Sequence, residues 1–169
     1  MSLIILTGAS GSGKTAIAEA IARDHAGRLA VYHFDSIGIP SLDAMVRDHG
    51  SPEAWQRDKT IEWVARLAPQ AHKGKAILFE GQMRPSFVIE AALAARIDDY
   101  RLILVDCDDA TRTHRLSAQR GRPELADANM MNWAAYLRRE AQASGLEILD
   151  TSHLSLKQSV DNVLRRLID

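Results

Sequence analysis

The chain has 169 residues, 46% of them hydrophobic and 25% charged, with a net charge of -1; this is the balance of one soluble globular domain. Near-neutral charge gives no field that would recruit nucleic acid or an anionic membrane, and no stretch approaches the roughly 20 apolar residues of a membrane span. Cys107 is the only cysteine, which excludes an internal disulfide and fits a reducing compartment, so a cytoplasmic protein is expected.

Strand-like and helix-like segments alternate along the chain. The first apolar run, SLIILT (2–7), is too short for a signal peptide and lacks a cleavage signal. It leads straight into GASGSGKT (8–15) and then a helix over 14–25 with Ile17, Ala20 and Ile21 on one face. Further strands are expected at LAVYHF (29–34), AILFE (76–80), RLILVD (101–106) and LEILD (146–150). All are nearly continuous in apolar character, as strands buried on both faces of a parallel sheet are.

Between strands two and three, Ser51-Pro52-Glu53 opens a long helix with stripe Ile61, Val64, Ala65 and Ala68; Pro69 should end or kink it. A helix around 130–143 is closed by Gly145, and the last helix repeats Val160, Val163, Leu164 and Leu167. No repeat, low-complexity segment or linker interrupts the series. Five strands with helical crossovers make a single three-layer α/β domain over 1–169, with its site in the loops beyond the carboxyl ends of the strands.

GASGSGKT fits G-x-x-x-x-G-K-[ST] between a strand and a helix. In that setting backbone N–H groups cradle phosphate oxygens, and side chains would block the approach. Gly8, Ala9, Ser10, Gly11, Ser12 and Gly13 are therefore the phosphate loop, or P-loop. Lys14 is placed to reach the β- and γ-phosphates and Thr15 to ligate Mg²⁺. The simpler reading of these residues is a glycine-rich turn. Nucleotide and Mg²⁺ are the expected ligands.

Two further segments carry a resemblance. ILFEGQMR (77–84) resembles the strand-three signature of adenylate kinases, matching in kind at Glu80, Gly81 and Arg84 and departing at Gln82 and Met83. THRLSAQRGRPEL (113–125) resembles the lid of shikimate kinase and its relatives. Together with the P-loop they make the chain similar to the small P-loop kinases: adenylate, shikimate and gluconate kinases and chloramphenicol phosphotransferase. The resemblance implies a five-stranded parallel sheet in the order 2-3-1-4-5 and a short lid at about 117–126. It also implies ATP-dependent transfer of the γ-phosphoryl group to a small-molecule hydroxyl or phosphate.

The same resemblance assigns roles. Glu80 would hold Mg²⁺ through water, Arg115 would stack on adenine, and Arg122, with Arg120 as a second candidate, would close over the transferring phosphoryl group. Asp150, Thr151 and Ser152 would line the adenine loop, although a strand followed by Asp-Thr-Ser is also an ordinary helix-capping start. Guanidinium suits the lid because it is planar, always charged and binds phosphate oxygens bidentately.

Asp35, in YHFDSIGIP (32–40), falls where such kinases place a base toward the acceptor. A turn or capping aspartate is the plainer alternative. His33 lies two residues earlier and is left outside the core set, since a lone strand histidine is more often packed than catalytic. The acceptor cap is expected over about 36–72, with Trp55, Trp63 and Arg57 available. Arg84 and Arg138 are placed either to grip an anionic group on the acceptor or simply to pair with nearby carboxylates. Trp55 and Trp63 read as core, and Cys107 as a small apolar residue of strand four. His33-Phe34-Asp35 replaces the Asp-x-Asp of shikimate kinases, and PSFVIE (85–90) lacks the glutamine that reads AMP, so neither acceptor is expected. A nucleotide-binding regulator or an NTPase without an acceptor is the alternative to a kinase; either would be a monomer or homodimer.

Overall fold

The computed structural model describes residues 3–168, with side chains to Arg166. Ser2 of the first strand reading and the side chain of Leu167 lie outside the described residues. Five strands, β1 (Leu3–Thr7), β2 (Ala30–His33), β3 (Ile77–Gly81), β4 (Tyr100–Asp106) and β5 (Glu147–Asp150), form one sheet in the order β2-β3-β1-β4-β5. Every pairing is parallel. This is the three-layer α/β fold and strand order expected from the sequence.

Parity along the strands sorts the helices. Leu3, Ile5, Ile77, Phe79 and Leu102 face one layer, built from α3 (Pro52–Ala71) and α4 (Pro85–Ala94). Beside it, α6 (Ala128–Ala143) packs Ala134, Leu137 and Ala141 on Ala9 and Leu104. Ile4, Leu6, Leu78, Ile103 and Val105 face the other layer, formed by α1 (Lys14–Asp24) and α7 (Leu156–Ile168). Burial on both faces is why the strands read as continuous apolar runs. Two shorter helices, α2 (Leu42–His49) and α5 (Asp109–His114), flank this frame.

Three local expectations are corrected. Pro69 neither ends nor precedes a break: α3 runs on to Ala71. In the last turn a proline forfeits only one bond of the helical ladder, and the helix ends two residues later regardless. Phe34 leaves the strand, because β2 stops at His33 and a 3-10 turn, Phe34–Ile37, follows and carries Asp35. There Ser36 Oγ donates to the His33 carbonyl at 2.7 Å and the Asp35 carbonyl accepts from Gly38 N, drawing the chain out of the ladder. Cys107 lies one residue beyond β4, buried with its Sγ against the Gly11 carbonyl.

Trp55 and Trp63 are core residues, 7% and 4% exposed, and Arg57 pairs with Glu90 on α4. Ile37, Ile39, Leu42 and Val46 are exposed, while Met45 of α2 packs into the core beside them.

Candidate active site

The P-loop joins β1 to α1. Gly11 and Gly13 hold positive φ of 79° and 98°, the left-handed region that favours glycine. The loop's carbonyls are turned outward and bonded. Ser10 O accepts from Arg112 Nη1 at 2.8 Å, Gly11 O from Arg115 Nη1 at 3.3 Å, and Ser12 O from Thr151 Oγ1 at 2.7 Å. The amides of the first turn of α1 have no carbonyl of their own helix to meet. Ser12 Oγ is buried without a partner. With the carbonyls turned away, the free helix amides and an unpartnered hydroxyl are the donor set that a phosphate chain requires.

Lys14 is 7% exposed at the head of α1. Burial pulls its ammonium below the usual lysine range, against the opposing pull of Glu80 and Asp35; Arg120 and Arg112 add to the lowering. Its Nζ stands 4.0 Å from Glu80 Oε2. Thr15 Oγ1 lies 3.4 and 3.3 Å from the two Glu80 oxygens. A hydroxyl and a carboxylate facing one another at this range are the hard oxygen donors that suit magnesium, directly or through water.

Glu80 is carried there by register. Parallel pairing sets His33 beside Glu80 on one side and Leu6 on the other, so all three side chains share the α1 face of the sheet. His33 Nδ1 meets Glu80 Oε1 at 2.7 Å. Asp35 belongs to the same group. Burial raises its carboxyl above the usual 3.8; Lys14 pulls the other way, Glu80 raises it further, and His33 lowers it.

Asp35 is held there by packing behind it. Phe34 inserts between Trp55, edge-on at 5.8 Å, and Phe79 at 6.4 Å. Trp63 Nε1 donates to the Phe34 carbonyl at 3.2 Å. A Cβ on Gly81 would come closer than 3.0 Å to Phe34, so only glycine lets the aromatic ring lie against the end of β3.

On the other side of the P-loop lies a cleft of about 330 Å³ lined by Gly13, Arg115, Arg120, Thr151, Leu154 and Leu156, among others. Arg115 also donates to Thr151 Oγ1 and Thr151 O, both at 2.8 Å, tying the loop after β5 to the P-loop. Of Asp150, Thr151 and Ser152, only Thr151 lines this cleft. Asp150 accepts from the Ser152 amide and hydroxyl, and both turn toward the tip of β4.

Arg84 lies over three rings, 5.2 Å from the centroids of Trp133 and Tyr136 and 5.5 Å from that of Phe87. Its Nε donates to Tyr136 OH at 3.3 Å, and Glu53 and Gln56 flank it. The lid region is a π-helical turn, Arg115–Gln119, followed by a short 3-10 turn, Pro123–Leu125. Arg120 stands close enough to Lys14 to act on it, whereas the exposed Arg122 pairs with Glu124.

The structure thus gathers Lys14, Thr15, Asp35 and Glu80, with Arg120 nearby. It does not bring Arg138 to this group. Arg138 Nε donates to Asp106 Oδ2 at 2.6 Å, and Asp109 and Asp150 are its other charged neighbours. Asp106, at the end of β4, captures the guanidinium before it can reach the acceptor side. Sequence reasoning set aside His33, although strand parity with Asp35 was its signal, and did not single out Arg112, whose spacing of three from Arg115 puts both on one helix face. Gln82, which bonds Ser10 Oγ at 3.0 Å, and Gln56, which bonds Gln82 O at 2.8 Å, gave no signal.

A parallel sheet in this order with a P-loop after its first strand defines the P-loop kinase fold within the P-loop NTPases. A family model described as an AAA domain matches residues 4–150, and the chain belongs to that family. Solved structures agree in fold. An unliganded sugar kinase from Janibacter sp. HTCC2649 superposes with a TM-score of 0.74 at 18% identity, covering 99% of this chain and 95% of that one. A gluconokinase from Sinorhizobium meliloti 1021 gives 0.64 at 17% identity, covering 99% and 91%. Shikimate kinase from Acinetobacter baumannii, in complex with shikimate, gives 0.66 at 13% identity, covering 99% and 93%. No curated protein matches the chain in sequence. Among the described residues no helix is long and apolar enough to cross a membrane.

Proposed function

We propose that the protein is a kinase that transfers the γ-phosphoryl group of ATP to a hydroxyl or phosphate of a small molecule. What supports this reading is the place of Asp35, just beyond β2 and two residues from the His33 that meets Glu80, where its charge acts on Lys14 and Glu80. Asp35 puts a second, solvent-reachable carboxylate beside the phosphate lysine at the end of β2, where the hydroxyl of an acceptor would enter.

Each residue then has a task. P-loop amides hold the phosphate chain, Lys14 bridges its β- and γ-phosphates, and the base enters the cleft bounded by Arg115, Thr151 and Leu154. Thr15 and Glu80 would hold magnesium, which when bound neutralises charge on the phosphates. Asp35 accepts a hydrogen bond from the acceptor hydroxyl, aligns it, and takes its proton as the new bond to phosphorus forms. The loose transition state of phosphoryl transfer demands such alignment more than strong basicity. Arg120 and Arg122 close over the phosphoryl group from the lid at 117–126, and Arg84 meets an anionic group on the acceptor.

The test is ADP release from ATP and Mg²⁺ across a library of metabolites and nucleosides. Stimulation by one chemical class identifies the acceptor. Slow hydrolysis that no compound stimulates supports an NTPase instead.

A further inference from the structure

Arg112, on α5, is fully buried, with 0% of its surface exposed. A guanidinium cannot shed its charge, so burial on this scale demands specific compensation. Asp106 Oδ1 supplies it, accepting from Nη2 at 2.7 Å. Cys107 O accepts from the same nitrogen at 3.2 Å, and Nη1 donates to Ser10 O at 2.8 Å. Nε is buried without a partner, so the two terminal nitrogens set the orientation. The other Asp106 oxygen is held by Arg138 at 2.6 Å, which fixes the carboxylate from both sides.

We propose that Arg112 is a positioning residue for phosphate binding: a buried fork that clamps the Ser10 carbonyl to the end of β4 and so holds the P-loop open toward its ligand. A peptide unit is planar. Fixing the Ser10 carbonyl outward therefore fixes the direction of the Gly11 N–H in the same unit. Gly11 has positive φ, so without the clamp this peptide has rotations open to it that other residues would not allow. Arg112 itself touches no ligand; it acts through the backbone. Lysine cannot replace it, because a single ammonium cannot span Asp106 and Ser10 O with the fixed spacing of a guanidinium.

The inference rests on the nucleotide reading of the P-loop, and the experiment separates the two. Arg112→Lys keeps the buried charge beside Asp106 and is the main variant; Asp106→Asn, which frees the fork, is the second. Affinity for ATP with Mg²⁺ is measured by calorimetry, and amide hydrogen exchange is followed in the ligand-free proteins. Exchange at residues 9–13 should accelerate at least about tenfold while β1 and β3 stay protected, and ATP affinity should fall by about 10 to 100-fold, the scale of losing a well-aimed hydrogen bond to a charged ligand.

Slowed or unchanged loop exchange with wild-type affinity overturns the proposal while leaving the P-loop reading intact. Wild-type protein that binds no ATP overturns both. Loss of protection throughout the sheet of both variants makes Arg112 a determinant of folding and overturns its assignment to the loop.

Discussion

His33 Nδ1 lies 2.7 Å from Glu80 Oε1 across the β2–β3 pairing, leaving Glu80 Oε2 turned to Thr15 Oγ1 at 3.3 Å and Lys14 Nζ at 4.0 Å. One carboxylate is thus oriented by a strand neighbour and presented to the P-loop. Glu80→Gln should raise the Mg²⁺ concentration for half-maximal turnover by roughly 10 to 100-fold, the scale on which groups orienting a metal's ligands act. Magnesium titrations of wild type and variant at saturating ATP check this. An unchanged midpoint would remove Glu80 from the metal.

Lys14 is buried and its ammonium is held below the usual range by desolvation. Its charge is therefore maintained at a cost to the fold. Lys14→Ala should lower ATP turnover by about 10² to 10³, as loss of one preorganised charge at a transition state does. Thermal stability should stay level or rise, because the desolvated cation is gone. A folded variant with wild-type ATP affinity and turnover would refute nucleotide chemistry at this loop.

The frame and the phosphate loop were readable because both are written in local pattern: apolar runs for doubly covered strands, small residues where backbone must approach a ligand. Boundaries were less so. Phe34 reads as strand by its neighbours, yet Trp63, from α3, takes its carbonyl and Ser36 takes that of His33. The fate of each arginine was least legible. Arg112 does not stand out in sequence, Arg115 reads as an adenine stacker and Arg138 as a grip for the acceptor or a partner of a nearby carboxylate, but Asp106, Ser10 O and Gly11 O engage them. Only tertiary contact decides whether a guanidinium builds a site or fills it.

Gly81 lets Phe34 close on the end of β3. Gly81→Ala should destabilise the protein by about 1–3 kcal/mol, the usual cost of forcing extra volume into a packed core. Urea denaturation should show a lower midpoint at unchanged slope. Turnover should fall as well, since Phe34 carries Asp35. An unaltered midpoint would mean that the Phe34 ring moves aside freely.

Residues 118–124 are exposed, and the lid's backbone is tied to the body chiefly through Arg122 N to Leu116 O and Arg120 N to Arg115 O. Such a segment should open and close readily. Amide exchange across 117–126 should be fast in the free protein and slow when a non-hydrolysable ATP analogue is bound, as Arg120 and Arg122 are drawn inward. Equal, slow exchange in both states would make this segment fixed structure.

Asp35 decides between a kinase and a protein that merely binds or hydrolyses nucleotide. Its carboxyl is held above 3.8, chiefly by burial. A group with a raised folded pKa favours the fold fully below its unfolded pKa and loses that contribution as pH rises through the folded one. At neutral pH the ionised aspartate therefore costs stability, and Asp35→Asn should melt at the same temperature or higher. Activity runs the opposite way, because only the carboxylate can accept the acceptor's proton. In the wild type, acceptor-dependent turnover should fall on the acid side with a midpoint above the ordinary aspartate value. In Asp35→Asn, ATP affinity should survive while acceptor phosphorylation drops by roughly 10² to 10⁴, and the residual rate should lose that acid limb. The measurement is ADP release against acceptor concentration for both proteins, repeated across pH. Should Asp35→Asn match wild type in acceptor-stimulated turnover and keep the same acid limb, the base lies elsewhere.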